Sequence, residues 1–357
     1  MSRTDPAPRV LVVGDPYFDT DAFRHGFADL EGRADISYLQ LDTTKARAPR
    51  DDAEARLREY AGDPDVVAAA LGGHDVLVVH GAPVSEQVLS TPGLRLVCCA
   101  RGGPVNVDVA AATARGVPVC ATPGKNAAAV AELTIAFAFM LLRGIGASSR
   151  HLERTGLPPA SVFDGREFFG REAQGATIGL VGYGNVGRQV ARRASALGMR
   201  AVAYDPYVGP DASLEAELTS FDDLLAQSDL VSLHARYTEG AFHLRGDAAI
   251  GRMREGAFFI NTARERLVDE TALVSALQSG HVAGAALDVI EMTGKRSPLL
   301  DLPQVVVTPH IGGATGETLR RGAQMAAEAV LALASGLPLP YCVNPETDPV
   351  APPSTMR

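Results

Sequence analysis

The chain alternates short β-branched runs with longer amphipathic stretches from end to end, and that rhythm permits few folds. In the first third the runs are RVLVVG (9–14), DISYLQL (35–41), DVLVVHG (75–81), RLVCCA (95–100) and VPVCAT (117–122). Helical patterns such as DDAEARLREYA and VDVAAATARG lie between them. A long helical stretch, KNAAAVAELTIAFAFMLLRGI, leads into a loop rich in Pro, Gly and charge at 155–175. A second series follows: TIGLVGYG, RAVAYDP, LVSLHA, AFFINTA, VAGAALDV and QVVVTPH. Near-continuous apolar strands separated by helices predict parallel sheets covered on both faces. The fold class is therefore α/β, and 357 residues suffice for two domains of ordinary size. A last helix, GETLRRGAQMAAEAVLALASG, precedes a Pro-containing tail that is predicted to be mobile from Val343 onward.

Composition narrows the functional classes. A net charge of −9 argues against a nucleic-acid surface, because phosphate contact needs a basic face. It leaves room for a small anionic substrate, which needs only one or two local Arg residues. The segment MSRTDPAPRV has no apolar core of the kind a secretory signal carries. The longest apolar window, Ala127–Leu142, contains Glu132 and is too short to span a bilayer. The expectation is a cytoplasmic protein with no membrane partner. Four Cys residues occur without paired spacing, which predicts buried reduced thiols and no metal site.

Residues 182–187 read GYGNVG directly after the apolar run TIGLV. Gly182 permits a tight turn, Gly184 lets backbone approach a pyrophosphate, and Gly187 lets helix and strand pack closely. Glycine-rich turns alone are common. Here Asp205 closes the next strand run 18 residues after Gly187, where a carboxylate can accept hydrogen bonds from ribose hydroxyls. Together they predict a dinucleotide site, against the blander reading of a surface Asp at a turn. A carboxylate at that place repels a 2′-phosphate, so NAD is expected over NADP.

Three further stretches fall at the C-terminal ends of strand runs, the edge where α/β sheets take ligands. They are FFINTARERLVDE (258–270), GAALDVIEMTG (284–294) and VVVTPHIGGAT (305–315). Arg264 is placed either to fork onto a carboxylate in two hydrogen bonds or to form a surface ion pair. His310, between Pro309 and Ile311, is the titratable group best suited to proton transfer near neutral pH, though a lone His is often structural.

Taken in order, GYGNVG, Asp205, SLHARYT, INTARERLVDE, AGAALDV and LPQVVVTPHIGGAT closely resemble the D-isomer-specific 2-hydroxyacid dehydrogenases. The resemblance runs from about Leu96 to Asn344. It implies two doubly wound parallel-sheet domains, a Rossmann NAD-binding domain (123–311) inserted into a discontinuous flavodoxin-like substrate domain (1–122 and 312–342), with the active site in the cleft between them. It implies that Arg264 holds the substrate carboxylate, that His310 carries the proton, and that Asp288 contacts the nicotinamide carboxamide. Asn185 and Val186 would present backbone to the pyrophosphate, and His234, Thr262, Ala263, Gly312 and Gly313 would lie along the cofactor. Backbone N–H groups near Arg101, Gly102 and Gly103 would grip the carboxylate of a 2-oxo or 2-hydroxy acid. The helix from Lys125 to about Arg150 and the arm after it resemble the segment through which members form homodimers. No appended regulatory module is expected.

Three positions depart from the family pattern. Glu265 and Arg266 follow Arg264 where a Gly is usual, and Arg236 stands where many members have Pro. Members also carry a Glu-Pro shortly after the Asp-Val pair, and that Glu serves the catalytic His. Counted from Asp288, the Glu position is Thr293, and the loop toward PLLDLP is about two residues short. Thr293 can accept a hydrogen bond but supplies no charge to favour imidazolium. Either the acid is missing, or the short loop brings Glu291 inward in its place. The leading expectation is an NAD-dependent 2-hydroxyacid dehydrogenase; the alternative is a non-catalytic NAD(H)-binding sensor sharing the fold.

Overall fold

The computed structural model describes residues 7–156, 166, 168–209, 215–235, 247–291 and 294–350. They divide into two compact units, one formed by 1–125 with 315–357 and the other by 126–314.

The first unit holds a five-stranded parallel sheet. Its strands are β1 (Arg9–Gly14), β2 (Asp35–Gln40), β3 (Val76–Val79), β4 (Leu96–Cys99) and β5 (Val119–Cys120), in the order β2-β1-β3-β4-β5. Alternate residues of β1 enter opposite cores: Val10 and Val12 join one apolar cluster, Leu11 and Val13 the other. Cys98 and Cys99 divide between the same two clusters, as adjacent strand residues must. The helix Gly316–Ser335 returns the chain to this unit and lays Ala323, Ala326, Ala327 and Val330 on the sheet. Its N-cap Thr315 accepts a hydrogen bond from the Thr318 N–H. The helix Thr20–Gly26 crosses it closely, since a Cβ on Gly26 would lie 2.2 Å from that of Ala323.

The second unit holds seven parallel strands. They are β6 (Thr177–Val181), β7 (Arg200–Tyr204), β8 (Glu217–Leu218), β9 (Leu230–Leu233), β10 (Ala257–Asn261), β11 (Val282–Leu287) and β12 (Val305–Val307), in the order β12-β11-β10-β9-β6-β7-β8. The chain runs outward from β6 in one direction and from β9 in the other, so the sheet reverses its winding between those two strands. Burial of Ile178, Leu180, Val231, Ile260 and Ala285 on its central strands is complete. At ~1.5–3 kcal/mol for each large aliphatic side chain, this burial contributes several kcal/mol to the cohesion of the unit. Among the described residues no single helix is long and apolar enough to cross a membrane.

The crossings between units fall after Lys125 and after Ala314, a few residues beyond the expected 122 and 312. The difference has a cause in the first unit: the Thr122 N–H donates to Arg101 O at 2.8 Å, and Lys125 Nζ donates to Ala100 O at 2.5 Å. The tail is described as far as residue 350. Val343 pairs with β5 through its N–H to Val119 O at 2.8 Å, and Asn344 is 2% exposed. Asn344 Oδ1 accepts from the Val119 N–H, and its Nδ2 donates to Val117 O and Thr113 Oγ1. Val343 and Asn344 are therefore fastened to β5, by a side-chain amide rather than a regular strand, while most of 345–350 is exposed.

Asn344→Ala strands a buried donor and a buried acceptor. It should lower the stability of the first unit by about 2 kcal/mol, read as a shift in its urea unfolding midpoint.

Candidate active site

The carboxyl edge of the seven-stranded sheet collects the predicted residues of this unit. Gly182 follows β6, Asp205 follows β7, His234 follows β9, Thr262 to Arg264 follow β10, Asp288 follows β11 and His310 follows β12. The reversal between β9 and β6 lies at the same edge, the usual ligand position in open α/β sheets.

The glycines differ in what a side chain would meet. Gly182 has φ +100°, and a Cβ there would lie 2.6 Å from the Ala235 backbone N. A Cβ on Gly187 would lie 2.3 Å from the Gly182 carbonyl oxygen. Gly184 faces open space, with nothing within 4 Å, and it caps the helix Asn185–Ala196 without any side-chain hydrogen bond. The turn thus leaves a gap over bare helix N–H groups, which is the cradle a pyrophosphate requires. Asp205 serves two ends: Oδ2 accepts from the Tyr183 N–H at 2.8 Å and Oδ1 from the Tyr207 N–H at 2.9 Å. Each oxygen keeps acceptor capacity for a ribose hydroxyl.

His234 hydrogen-bonds Ser232 Oγ through Nε2 at 2.9 Å, and burial pushes its imidazole down to about 3. It is therefore uncharged near neutral pH. Thr262 is buried, its Oγ1 3.1 Å from Thr134 Oγ1 on the helix Ala127–Leu142. Beside it Asn261 is 1% exposed; its Oδ1 accepts from the Ala263 N–H and its Nδ2 donates to the Arg264 carbonyl, both at 2.9 Å. Those bonds present Arg264 on extended backbone with an exposed side chain. Glu265 pairs with Arg266 at 3.8 Å, and no ion pair between Glu265 and Arg264 occurs among the described residues.

Asp288 organises the last element. Its Oδ1 accepts from Thr308 Oγ1 at 2.6 Å and the Ile311 N–H at 2.7 Å, and its Oδ2 accepts from the Gly312 N–H at 2.7 Å. Its carbonyl takes the His310 N–H at 3.0 Å. His310 sits inside this turn at φ +57°, a left-handed conformation uncommon for a non-glycine residue, with its ring exposed. A Cβ on Gly312 would reach Asp288 Oδ2 at 2.8 Å, so the glycine is needed for that bond. Gly313 packs toward the Asn126 side chain. Glu291 lines a small recess with Asn261, Glu265 and Glu270, and its N–H points at Glu270 Oε2 at 3.4 Å. Among the described residues it makes no hydrogen bond to His310. Thr293 and Arg236 lie outside the described residues.

In the first unit, Arg101 is committed to Glu59: Nη1 donates to its carbonyl at 2.9 Å and Nη2 lies 3.4 Å from Oε2. Among the described residues the N–H groups of Gly102 and Gly103 have no acceptor, and a Cβ on Gly103 would meet nothing within 4 Å. Bare, open amides of this kind suit a carboxylate.

Comparison with known proteins gives the arrangement its context. Residues 135–312 match the family model described as D-isomer specific 2-hydroxyacid dehydrogenase, NAD binding domain. A glyoxylate reductase of Korarchaeum cryptofilum is 38% identical over 325 residues, 88% of this chain and 93% of that protein. The chain belongs to the D-isomer-specific 2-hydroxyacid dehydrogenase family. Its second unit is accordingly an NAD-binding domain. A D-3-phosphoglycerate dehydrogenase of Mycobacterium leprae is 41% identical over 281 residues, 77% of this chain and 52% of that protein, so the chain spans about half the length of that relative. A glyoxylate reductase structure from Paecilomyes thermophila superposes with a TM-score of 0.73 at 28% identity, covering 95% of this chain and 99% of that one.

The family reading did not single out Asn261 or the pair Asp15–His80. Asp15 follows β1 and His80 follows β3, each 7% exposed or less. Asp15 Oδ2 accepts from His80 Nδ1 at 2.9 Å and the Gly81 N–H at 2.7 Å, while Oδ1 accepts from Tyr17 and Phe18. Burial raises the Asp15 carboxyl, but the hydrogen bond and charge of His80 with the backbone donors overturn this and hold it below its usual range. The signal available was position: both residues sit in the strand-end loops GDPYFD and HGAPVS.

The glycines should separate folding from binding. Gly182→Ala should destabilise the domain through backbone collision, whereas Gly184→Ala should leave its melting temperature unchanged and weaken NADH binding at least tenfold in a fluorescence titration.

His234 adds an acid limit. Its folded value lies below the ~6.5 of an unfolded His, so its contribution is complete above that pH and is lost as pH falls from there toward about 3. His234→Gln should flatten the decline of thermal stability across that window.

Proposed function

We propose that the chain is an NAD-dependent reductase of 2-oxo acids, working reversibly as a D-2-hydroxyacid dehydrogenase. The observation that carries this reading is the hydrogen-bonded turn on Asp288, which holds an exposed His310 on the same sheet edge as Arg264 and the glycine turn. Gly184, Asn185, Val186 and Gly187 would hold the pyrophosphate and Asp205 the ribose, and the bound NADH supplies the hydride. Arg264 then fits the role of carboxylate clamp and polarising cation. His310 gives a proton to the carbonyl oxygen in reduction and takes it back in oxidation. The substrate's side chain would be read in the first unit, where Asp15 and His80 stand at strand ends.

The sensor reading draws on one observation, the absence among the described residues of a carboxylate bonded to His310. Following NADH consumption at 340 nm against a panel of 2-oxo acids separates the two. Turnover with any member supports the reductase; tight NADH binding with no turnover on the whole panel supports the sensor. His310→Asn should keep NADH binding and lose ~10²–10⁴-fold in turnover. Arg264→Gln should raise KM and lower kcat together, because it removes both charge and fork. NADH should outperform NADPH, and Asp205→Ala should narrow that gap; equal use of both by the unmodified protein would overturn the cofactor assignment.

We also propose a homodimer through the helix Ile145–Thr155. That helix buries none of its own residues, and Ile145, Leu152 and Phe169 are 47%, 46% and 81% exposed. Leu152→Glu combined with Ile145→Glu should convert a dimer to a monomer in light scattering.

A further inference from the structure

We propose that Cys120 and Cys342 form a reversible intramolecular disulfide, a peroxide-responsive modification site that locks the C-terminal segment onto β5.

The backbone sets up the pair. Cys120, the last residue of β5, and Cys342 are direct partners in an isolated antiparallel bridge. The bonds that define the bridge flank them: the Val343 N–H donates to Val119 O at 2.8 Å, and the Ala121 N–H donates to Tyr341 O at 3.1 Å. The two cysteines are thus a non-hydrogen-bonded pair, the type in which Cα atoms approach to ~4.5 Å and side chains stand nearest. That separation lies within the range a disulfide spans. The register does not depend on the sulfurs, because Asn344 independently ties the segment to Val117 and Val119. Closing the bond requires no rearrangement of strands.

The two thiols are also unequal in the way such a site needs. Each has the other as the largest influence on its acidity. The Cys342 thiol donates to Asn344 Oδ1 at 3.6 Å, and its neighbour Cys120 lowers its pKa while that of Cys120 is raised. Cys342 is partly exposed, whereas Cys120 is 2% exposed. Cys342 is therefore the attacking thiolate and Cys120 the resolving thiol. The other two cysteines are poor competitors. Cys98 neighbours Cys120 in parallel register but is 1% exposed, and burial raises its thiol far above the ordinary value. Cys99 faces the opposite core, its thiol bonded to Asn106 Oδ1 at 3.4 Å and pushed up by burial to about 11.

The chemistry closes with hydrogen peroxide as oxidant. The Cys342 thiolate attacks one peroxide oxygen, the O–O bond breaks, and hydroxide leaves as the sulfur becomes a sulfenic acid. The Cys120 sulfur then displaces that hydroxyl as water and forms the S–S bond. Two thiols and one peroxide give one disulfide and two waters, and a dithiol reductant reverses the change. The closed ring of chain includes the whole second unit, 126–314, so oxidation joins the two ends of the discontinuous first unit across its insertion.

The test uses the full chain, treated with dilute hydrogen peroxide under native conditions, then denatured, alkylated with a maleimide and digested without reductant. Mass mapping should find the Cys120 and Cys342 peptides joined, with two thiols still alkylated at Cys98 and Cys99, and dithiothreitol should restore four. Oxidised protein should melt at a higher temperature than reduced protein. In Cys120→Ser, dimedone should label Cys342; in Cys342→Ser, no disulfide should form. Four free thiols after peroxide, a link through Cys98 or Cys99, or a dimedone-labelled Cys342 persisting in the unmodified chain would overturn the proposal.

Discussion

The buried carboxylate of Asp288 is the interaction on which the rest of the site depends. Three donors converge on it, and a buried charge without such partners would cost far more than the fold could supply. Bonds to an ionised group contribute ~1.5–3 kcal/mol each, against ~1–3 kcal/mol for holding a non-glycine residue in the left-handed region. The sum favours the turn, so His310 keeps a backbone conformation it would otherwise leave. The same network reaches sideways. The Asp288 N–H donates to the Asn261 carbonyl at 2.9 Å, and the Asn261 side chain holds Ala263 and Arg264. A continuous hydrogen-bonded chain therefore runs across the ends of β10, β11 and β12, from the Arg264 carbonyl to the His310 backbone N–H.

This arrangement changes how the missing family acid matters. In the usual pattern a carboxylate beside the His both charges it and orients its ring. Here the position of His310 is fixed through its backbone, by Asp288 and the Gly312 turn, while Glu291 lies in a recess with Glu265 and Glu270. The orientation of the main chain and the electrostatics of the ring are separate design problems, and among the described residues the first is met with no carboxylate bonded to the ring.

Much of the architecture was legible because strands and helices have different periods. Every β-branched run quoted from the sequence became a strand, and β8 was missed because two residues, Glu217 and Leu218, carry no period. Site positions were legible for a related reason: parallel strands deliver all their following loops to one edge, so a residue's place after a strand predicts its neighbours. The partners that fix those residues were not legible. Asp288 meets Ile311 and Gly312 from 23 and 24 positions away, and Asn344 meets Val119 across 225, so nothing local announces either bond. The fastening of the tail's first residues was not legible from composition, since its prolines suggested freedom while the buried Asn344 amide holds them to β5. The boundary at Lys125 shifted because a lysine's long stem allowed its ammonium to reach the Ala100 carbonyl.

Asp205 joins two properties that are usually discussed apart. On the proposed function its carboxylate is the group that disfavours a 2′-phosphate, and it also fastens Tyr183 in the middle of the glycine turn. A lineage drifting toward a phosphorylated cofactor could not simply discard this acid, because the turn would lose its staple in the same step. A second donor-and-acceptor arrangement would have to arise first, leaving the loop held while the charge was removed. On that reading cofactor choice is coupled to architecture: the residue proposed to read the ribose is also hydrogen-bonded into the glycine turn, so a substitution there touches the loop and the chemistry together.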